Sequence, residues 1–130
     1  MNKKESKTQE NLDFEIQFIE AILSERPNFM EGLTVLGDLY TKRGFYEKGL
    51  TIDQKLSQLR PDDALILYNL ACSYSLVNDI DKSLEIIRRA VDCGYNDFNY
   101  LQSDRDLENL KKDDRFKEFF STLDKKRNKE

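Results

Sequence analysis

Histidine is absent from the 130 residues, and that absence removes much of the usual side-chain chemistry. General acid–base work by imidazole, Ser-His-Asp and Cys-His nucleophilic pairs, and His-containing metal sites all require it. The two cysteines, Cys72 and Cys93, form neither a disulfide framework nor a metal-ligand spacing, and they read as small apolar packing residues held as thiols. The five glycines, Gly32, Gly37, Gly44, Gly49 and Gly94, are scattered at helix contacts and ends and build no phosphate-binding loop. Carboxylates are plentiful. The adjacent pairs Asp62-Asp63 and Asp113-Asp114, however, stand at helix starts, where capping and the positive end of the helix dipole account for them. The expectation is a protein that is not an enzyme, with no cofactor and no metal.

Composition narrows the partners. A formal net charge of −4 leaves no excess of positive charge for neutralising phosphates, the term that dominates non-specific nucleic-acid affinity. No window approaches the roughly 18 unbroken apolar residues needed to span a bilayer, and the lysines near the N-terminus are followed by no apolar signal region. Nucleic acid and membrane insertion are therefore set aside, and a cytoplasmic location is expected. With 38% hydrophobic and 35% charged residues, the chain can bury one core beneath a strongly solvated surface.

The elements that would position any binding residues follow from an internal repeat. Shifting the sequence by thirty-four residues superposes Pro27 on Pro61, Leu33 on Leu67, Leu36 on Leu70, Tyr40 on Tyr74, Lys48 on Lys82, Leu50 on Leu84 and Ile52 on Ile86. The same shift carries Ile16 to Leu50 and Leu84, and Phe18 to Ile52 and Ile86, so the repeat occurs as two full copies and one half copy. Leu12, Ile16, Ile19 and Leu23 recur at helical spacing until Pro27 stops the run. This helix has no partner before it. Its Glu15 stands where the later copies carry the small residues Gly49 and Ser83, a site a missing partner would leave exposed. The following helices are predicted over 29–42 and 46–59, then as two segments within 64–97 joined at Val77-Asn78-Asp79, with Gly44 supplying the left-handed conformation common at a helix end and Gly94 able to end the last of them. Asp53 occupies a position that is apolar in the next copy, Ile87, and is expected to be partly exposed or bonded to a tyrosine. After residue 97 the repeat fails. Ser103 is expected to cap a short helix bearing Leu107 and Leu110, and Asp113 or Asp114 a last helix with Phe116, Phe119, Phe120 and Leu123 as an apolar cap on the array.

The pattern Leu36-Gly37, Tyr40, Gly49, Leu56, Pro61, then Leu70-Ala71, Tyr74, Ser83, Ala90, resembles the tetratricopeptide repeat. The tail from Gly94 to Phe116 is similar to the closing segment of many bacterial arrays of that family. The resemblance implies an all-α fold of antiparallel helical hairpins, stacked as a short right-handed superhelix whose concave face binds extended peptides or partner helices. Carried over residue by residue, that face presents Glu31, Thr34, Asp38, Thr41 and Lys42 from the first repeat, and Leu65, Tyr68, Cys72, Ser75 and Leu76 from the second. An apolar anchor near Leu65, Tyr68 and Leu76 and a basic residue near Glu31 or Asp38 would suit it. The other reading of Tyr68 and Leu76 is that they pack under the C-terminal helices and fill the groove. Repeats that clamp a C-terminal carboxylate use basic and Asn side chains. Here only Asn69 matches, and Asp38 would repel the ligand.

The expected organisation is a disordered arm over 1–10 and one domain over 11–123, followed by a flexible tail over 124–130. The domain comprises a half repeat at 11–26, repeats at 30–63 and 64–97, and capping helices at 98–123. The expected function is a scaffold or adaptor that binds a segment of another protein through the concave face. The alternative is a structural element that self-associates or docks into a larger complex through its N-terminal helix, around Leu12, Phe14, Ile16 and Phe18.

Overall fold

The computed structural model describes the backbone of residues 3–129 and the side chains of residues 8–126. The described residues are all-helical, and the chain divides into two compact units, Met1–Pro61 and Asp62–Glu130.

The first unit holds α1 (Lys3–Glu25), α2 (Met30–Arg43) and α3 (Tyr46–Leu59). Leu36, Leu39 and Tyr40 of α2 meet Ile16 in one cluster, with Leu12, Ile19 and Leu23 of α1 and Ile52 of α3 packed around it. Each such leucine contributes on the order of 2 kcal/mol by leaving water. Leu12 and Ile16 therefore belong to the core and not to an exposed edge of α1. Two polar links fix α1 on α2: Tyr40 donates its hydroxyl to Glu20 at 2.6 Å, and Arg43 Nε donates to Asp13 at 2.8 Å. Helix α3 approaches α2 closely because Gly49 has no side chain. A Cβ there would stand 3.2 Å from Thr41 Oγ1.

The second unit repeats the hairpin as α4 (Ala64–Leu76) and α5 (Ile80–Asp92). The turns match residue for residue: Gly44 has φ 86° and Asn78, thirty-four positions later, has φ 64°. In both, the amide just after the left-handed residue returns to the carbonyl of the repeat tyrosine, Phe45 to Tyr40 at 2.8 Å and Asp79 to Tyr74 at 2.9 Å. This left-handed closure satisfies carbonyls that the helix end leaves bare. Where the first hairpin uses glycine at the contact, the second uses Ser83, whose hydroxyl donates to the Ala71 carbonyl at 2.7 Å.

The unit continues as α6 (Phe98–Ser103), a 3-10 turn (Arg105–Leu107), α7 (Glu108–Lys111) and α8 (Asp114–Lys129). Leu101, Leu107 and Leu110 are fully buried, as are Leu67 and Ala71 of α4. Phe116 is buried and its ring lies 5.9 Å from that of Phe120, while Arg88 of α5 sits over the Phe119 ring. The aromatic stripe of α8 thus packs within the unit. Arg115 reinforces it by reaching Asp81 of α5 at 2.8 Å.

Several local expectations are corrected. Helix α1 starts at Lys3, so residues 3–10 continue it and do not form a separate arm, and α8 runs on through residues 124–129. Lys, Glu and Gln are good helix formers, so these polar ends propagate a helix without any apolar face. Met1, Asn2 and Glu130 lie outside the described residues. Ser103 ends α6, donating to the Asn99 and Tyr100 carbonyls, and Asp104 is the cap that follows it. Asp53 is 8% exposed, which removes the partly exposed reading. No buried side-chain nitrogen or oxygen among the described residues lacks a hydrogen-bond partner.

Candidate partner-binding faces

The ten residues expected to line a binding face fall into two sets, one in each unit, with different surroundings. In the first unit Glu31, Thr34, Asp38 and Lys42 are exposed along one stripe of α2, at the i, i+3 and i+4 spacings that share a helix face. Val35, 44% exposed, stands in the middle of that stripe. It was missed in the sequence, where the residues carried over from the repeat family included Thr34 and Asp38 but not this position. Thr34 donates to the Met30 carbonyl at 2.9 Å, inside its own helix. Asp38 and Lys42 pair at 2.9 Å with both side chains more than half exposed, and the aspartate beside it raises the Lys42 pKa. Such a pair is worth well under about 1 kcal/mol, so a partner can open it at little cost. Thr41 differs from the rest. It is half-buried, donates to the Gly37 carbonyl at 3.1 Å and lies opposite Gly49 on the side that packs against α3.

In the second unit the corresponding face is occupied from within. Tyr68 donates its hydroxyl to Asp104 Oδ2 at 2.6 Å, Cys72 Sγ lies 3.7 Å from the same oxygen, and the Asp106 amide donates to Oδ1 at 3.0 Å. The Tyr68 ring stacks on Tyr95 with centroids 4.2 Å apart and planes 5° apart, and Tyr100 tilts against it at 6.1 Å. Ser75 accepts the Leu110 amide at 3.1 Å through its hydroxyl and the Asn109 amide at 3.0 Å through its carbonyl. Tyr68, Cys72 and Ser75 are buried, Leu76 is half-buried, and only Leu65 of the five stays open, at 60% exposure. Asp104 was missed in the sequence. The available signal was an acid directly after a short helix, where the repeat register would place the counterpart of Leu70.

The electrostatics of this cluster oppose reactivity. Burial, followed by the charge of Asp104, pushes the Cys72 thiol well above its usual pKa, the reverse of the lowering that makes a cysteine nucleophilic. Burial also raises the Tyr68 phenol and pushes Tyr95 up to about 12. These groups stay protonated and serve as donors and packing surfaces. Among the described residues, no cluster of three or more His, Cys, Asp or Glu side chains could hold a metal ion. No helix there is long and apolar enough to cross a membrane.

The chain is thus an all-α protein built on two matching helical hairpins. No protein-family model matches it. Over 88 residues it is 34% identical to a chloroplastic protein of Arabidopsis thaliana, a match covering 65% of this chain and 26% of that protein. The chain therefore aligns with about a quarter of the relative's length.

Proposed function

We propose that this chain is a non-catalytic protein-protein interaction scaffold, and that its hairpins are tetratricopeptide-like repeats of a short right-handed superhelix. The observation that carries the reading is the α2 stripe of Glu31, Thr34, Val35, Asp38 and Lys42, which no element of its own unit covers although the matching α4 face is filled. A peptide or helix segment with an apolar side chain for Val35 and a basic one for Glu31 and Asp38 complements it. A reducing compartment such as the cytoplasm suits its two free thiols, Cys72 buried and Cys93 exposed. The test is affinity capture with the wild-type chain and with the pair Val35→Asp and Asp38→Lys. Proteins recovered by the wild type and lost from a variant of unchanged melting temperature support the reading. Identical recovery refutes it.

A second reading rests on α1. Phe14 and Phe18 are 70% and 58% exposed, an unusual apolar display that favours docking or self-association through that helix.

A further inference from the structure

The internal repeat shows what the bare face of α1 lacks. A shift of thirty-four residues carries Phe14 to Lys48 and Lys82, Glu15 to Gly49 and Ser83, and Phe18 to Ile52 and Ile86. In both later copies these positions face the helix that precedes them in the hairpin. Lys48 and Lys82 each place Nζ 5.7 Å from the ring of the repeat tyrosine, Tyr40 and Tyr74. Gly49 lies against Thr41 and the Gly37 carbonyl, and Ser83 bonds the Ala71 carbonyl. Ile52 Cγ2 would stand 3.4 Å from a Cβ at Gly37, and Ile86 is 7% exposed. On α1 the same three positions are all exposed, while Leu12, Ile16, Ile19 and Leu23 are already spent on α2. The described α1 side chains that share the bare face and carry charge are Glu10, Glu15 and Glu25, all acidic; Lys42 of α2 feels the Glu15 charge, but its ammonium is paired with Asp38 at 2.9 Å.

We propose that the α1 face carrying Phe14, Glu15 and Phe18 receives an amphipathic helix of a partner protein, antiparallel to α1, which packs on it as α2 packs on α3 and sets a basic side chain against Glu15. The register gives the antiparallel direction, because α2 and α4 meet their partners that way through short turns. The charge gives the chemistry. In the later copies this contact is made by nothing larger than a serine that donates to a carbonyl, and Glu15 cannot donate, so a basic donor on the incoming helix complements the net acidic face better than a carbonyl or a carboxylate. This deepens the reading of α1 as a docking helix and rests on it.

The probe is a labelled synthetic peptide with the α2 sequence, residues 30–43, because α2 is the chain's own example of a helix that fits this kind of face. Thr41 lies opposite Gly49, so Thr41→Lys in the peptide brings an ammonium to Glu15 and Thr41→Glu brings a second carboxylate. Anisotropy titration of the full chain is expected to favour the lysine peptide by about five-fold or more, the discrimination one partly exposed charge pair supplies. The preference reverses in Glu15→Lys, and Phe18→Ser or Phe14→Ser weakens both peptides, with helical content and melting temperature unchanged because all three positions are exposed. Equal affinity for the two peptides, or binding unchanged by the phenylalanine substitutions, overturns the proposal. Light scattering separates the remaining failures. A dimer abolished by Phe18→Ser assigns the face to a second copy and overturns only the partner-helix occupant. A monomer that binds neither peptide at millimolar concentration overturns the docking reading of α1 as well.

Discussion

Thr34 and Tyr68 occupy the same repeat position, as do Asp38 and Cys72, and Thr41 and Ser75. On α2 the threonine at 34 bonds only its own helix and the aspartate at 38 pairs with a lysine one turn on, both at the surface. On α4 the tyrosine, the cysteine and the serine reach Asp104, Leu110 and Asn109, and are buried. The backbone of the two hairpins is alike down to the left-handed residue in each turn, so the difference lies in the side chains. Short polar groups that satisfy themselves leave a face free. A tyrosine hydroxyl and a serine hydroxyl that need partners let the following segment close it, with Leu101, Leu107 and Leu110 supplying the apolar contact.

That comparison breaks most readily at the leucines. Leu107→Ala removes a fully buried side chain, and the cavity left should cost about 2–5 kcal/mol of stability. Thermal unfolding measures the loss. Hydrogen exchange should quicken in α4 and α5 and remain as it was in α2 and α3. Next comes the acid: Asp104→Ala leaves the Tyr68 hydroxyl buried without its partner and should cost roughly 2–3 kcal/mol, with Tyr68→Phe milder, at about 1.5 kcal/mol, in chemical denaturation.

Alkaline pH sharpens the contrast. Burial raises the Tyr68 phenol above its ordinary 10.0, and Tyr40 and Tyr95 rise to about 12. Above pH 10.0 the unfolded chain gives up protons that these tyrosines keep when folded. Stability is therefore full below that pH and falls as pH climbs toward the folded values. Tyr68→Phe should flatten part of the fall in a series of denaturant midpoints, and a slope identical to wild type would contradict the burial. The smallest effect belongs to α2. Lys42→Ala opens an exposed pair and should change stability by less than about 0.5 kcal/mol, with little response to added salt.

How much of this was readable beforehand depends on which signal a residue carries. Tyr46–Leu59 and Ala64–Leu76 are bounded as expected, because prolines, a glycine and the aspartate cap at Asp63 mark their ends in the chain itself. Residues 3–10 and 124–129 are helical without an apolar period. Periodicity reports a face packed on something, and a polar helix end has no such face. The exposed set on α2 could be placed by repeat register alone. Tyr68, Cys72 and Ser75 were legible as one face, but whether that face is open depends on Asp104 and Leu110, more than thirty residues away in the chain and outside the repeat pattern. Asp53 shows the same limit. Its burial is decided by its neighbours in the fold, and its type alone argued for the surface.

Thiol reactivity tests the closed α4 face against the open α2 face directly. In a Cys93→Ser background, the rate at which an aromatic disulfide reagent labels Cys72 is compared with the rate at a cysteine introduced by Thr34→Cys. The closed face and the raised Cys72 pKa predict labelling of the α2 cysteine near the rate of a free thiol, and labelling of Cys72 at least about a hundred-fold slower until the chain is unfolded. Equal labelling of the two thiols in the native protein would show that the C-terminal segment leaves the α4 face open.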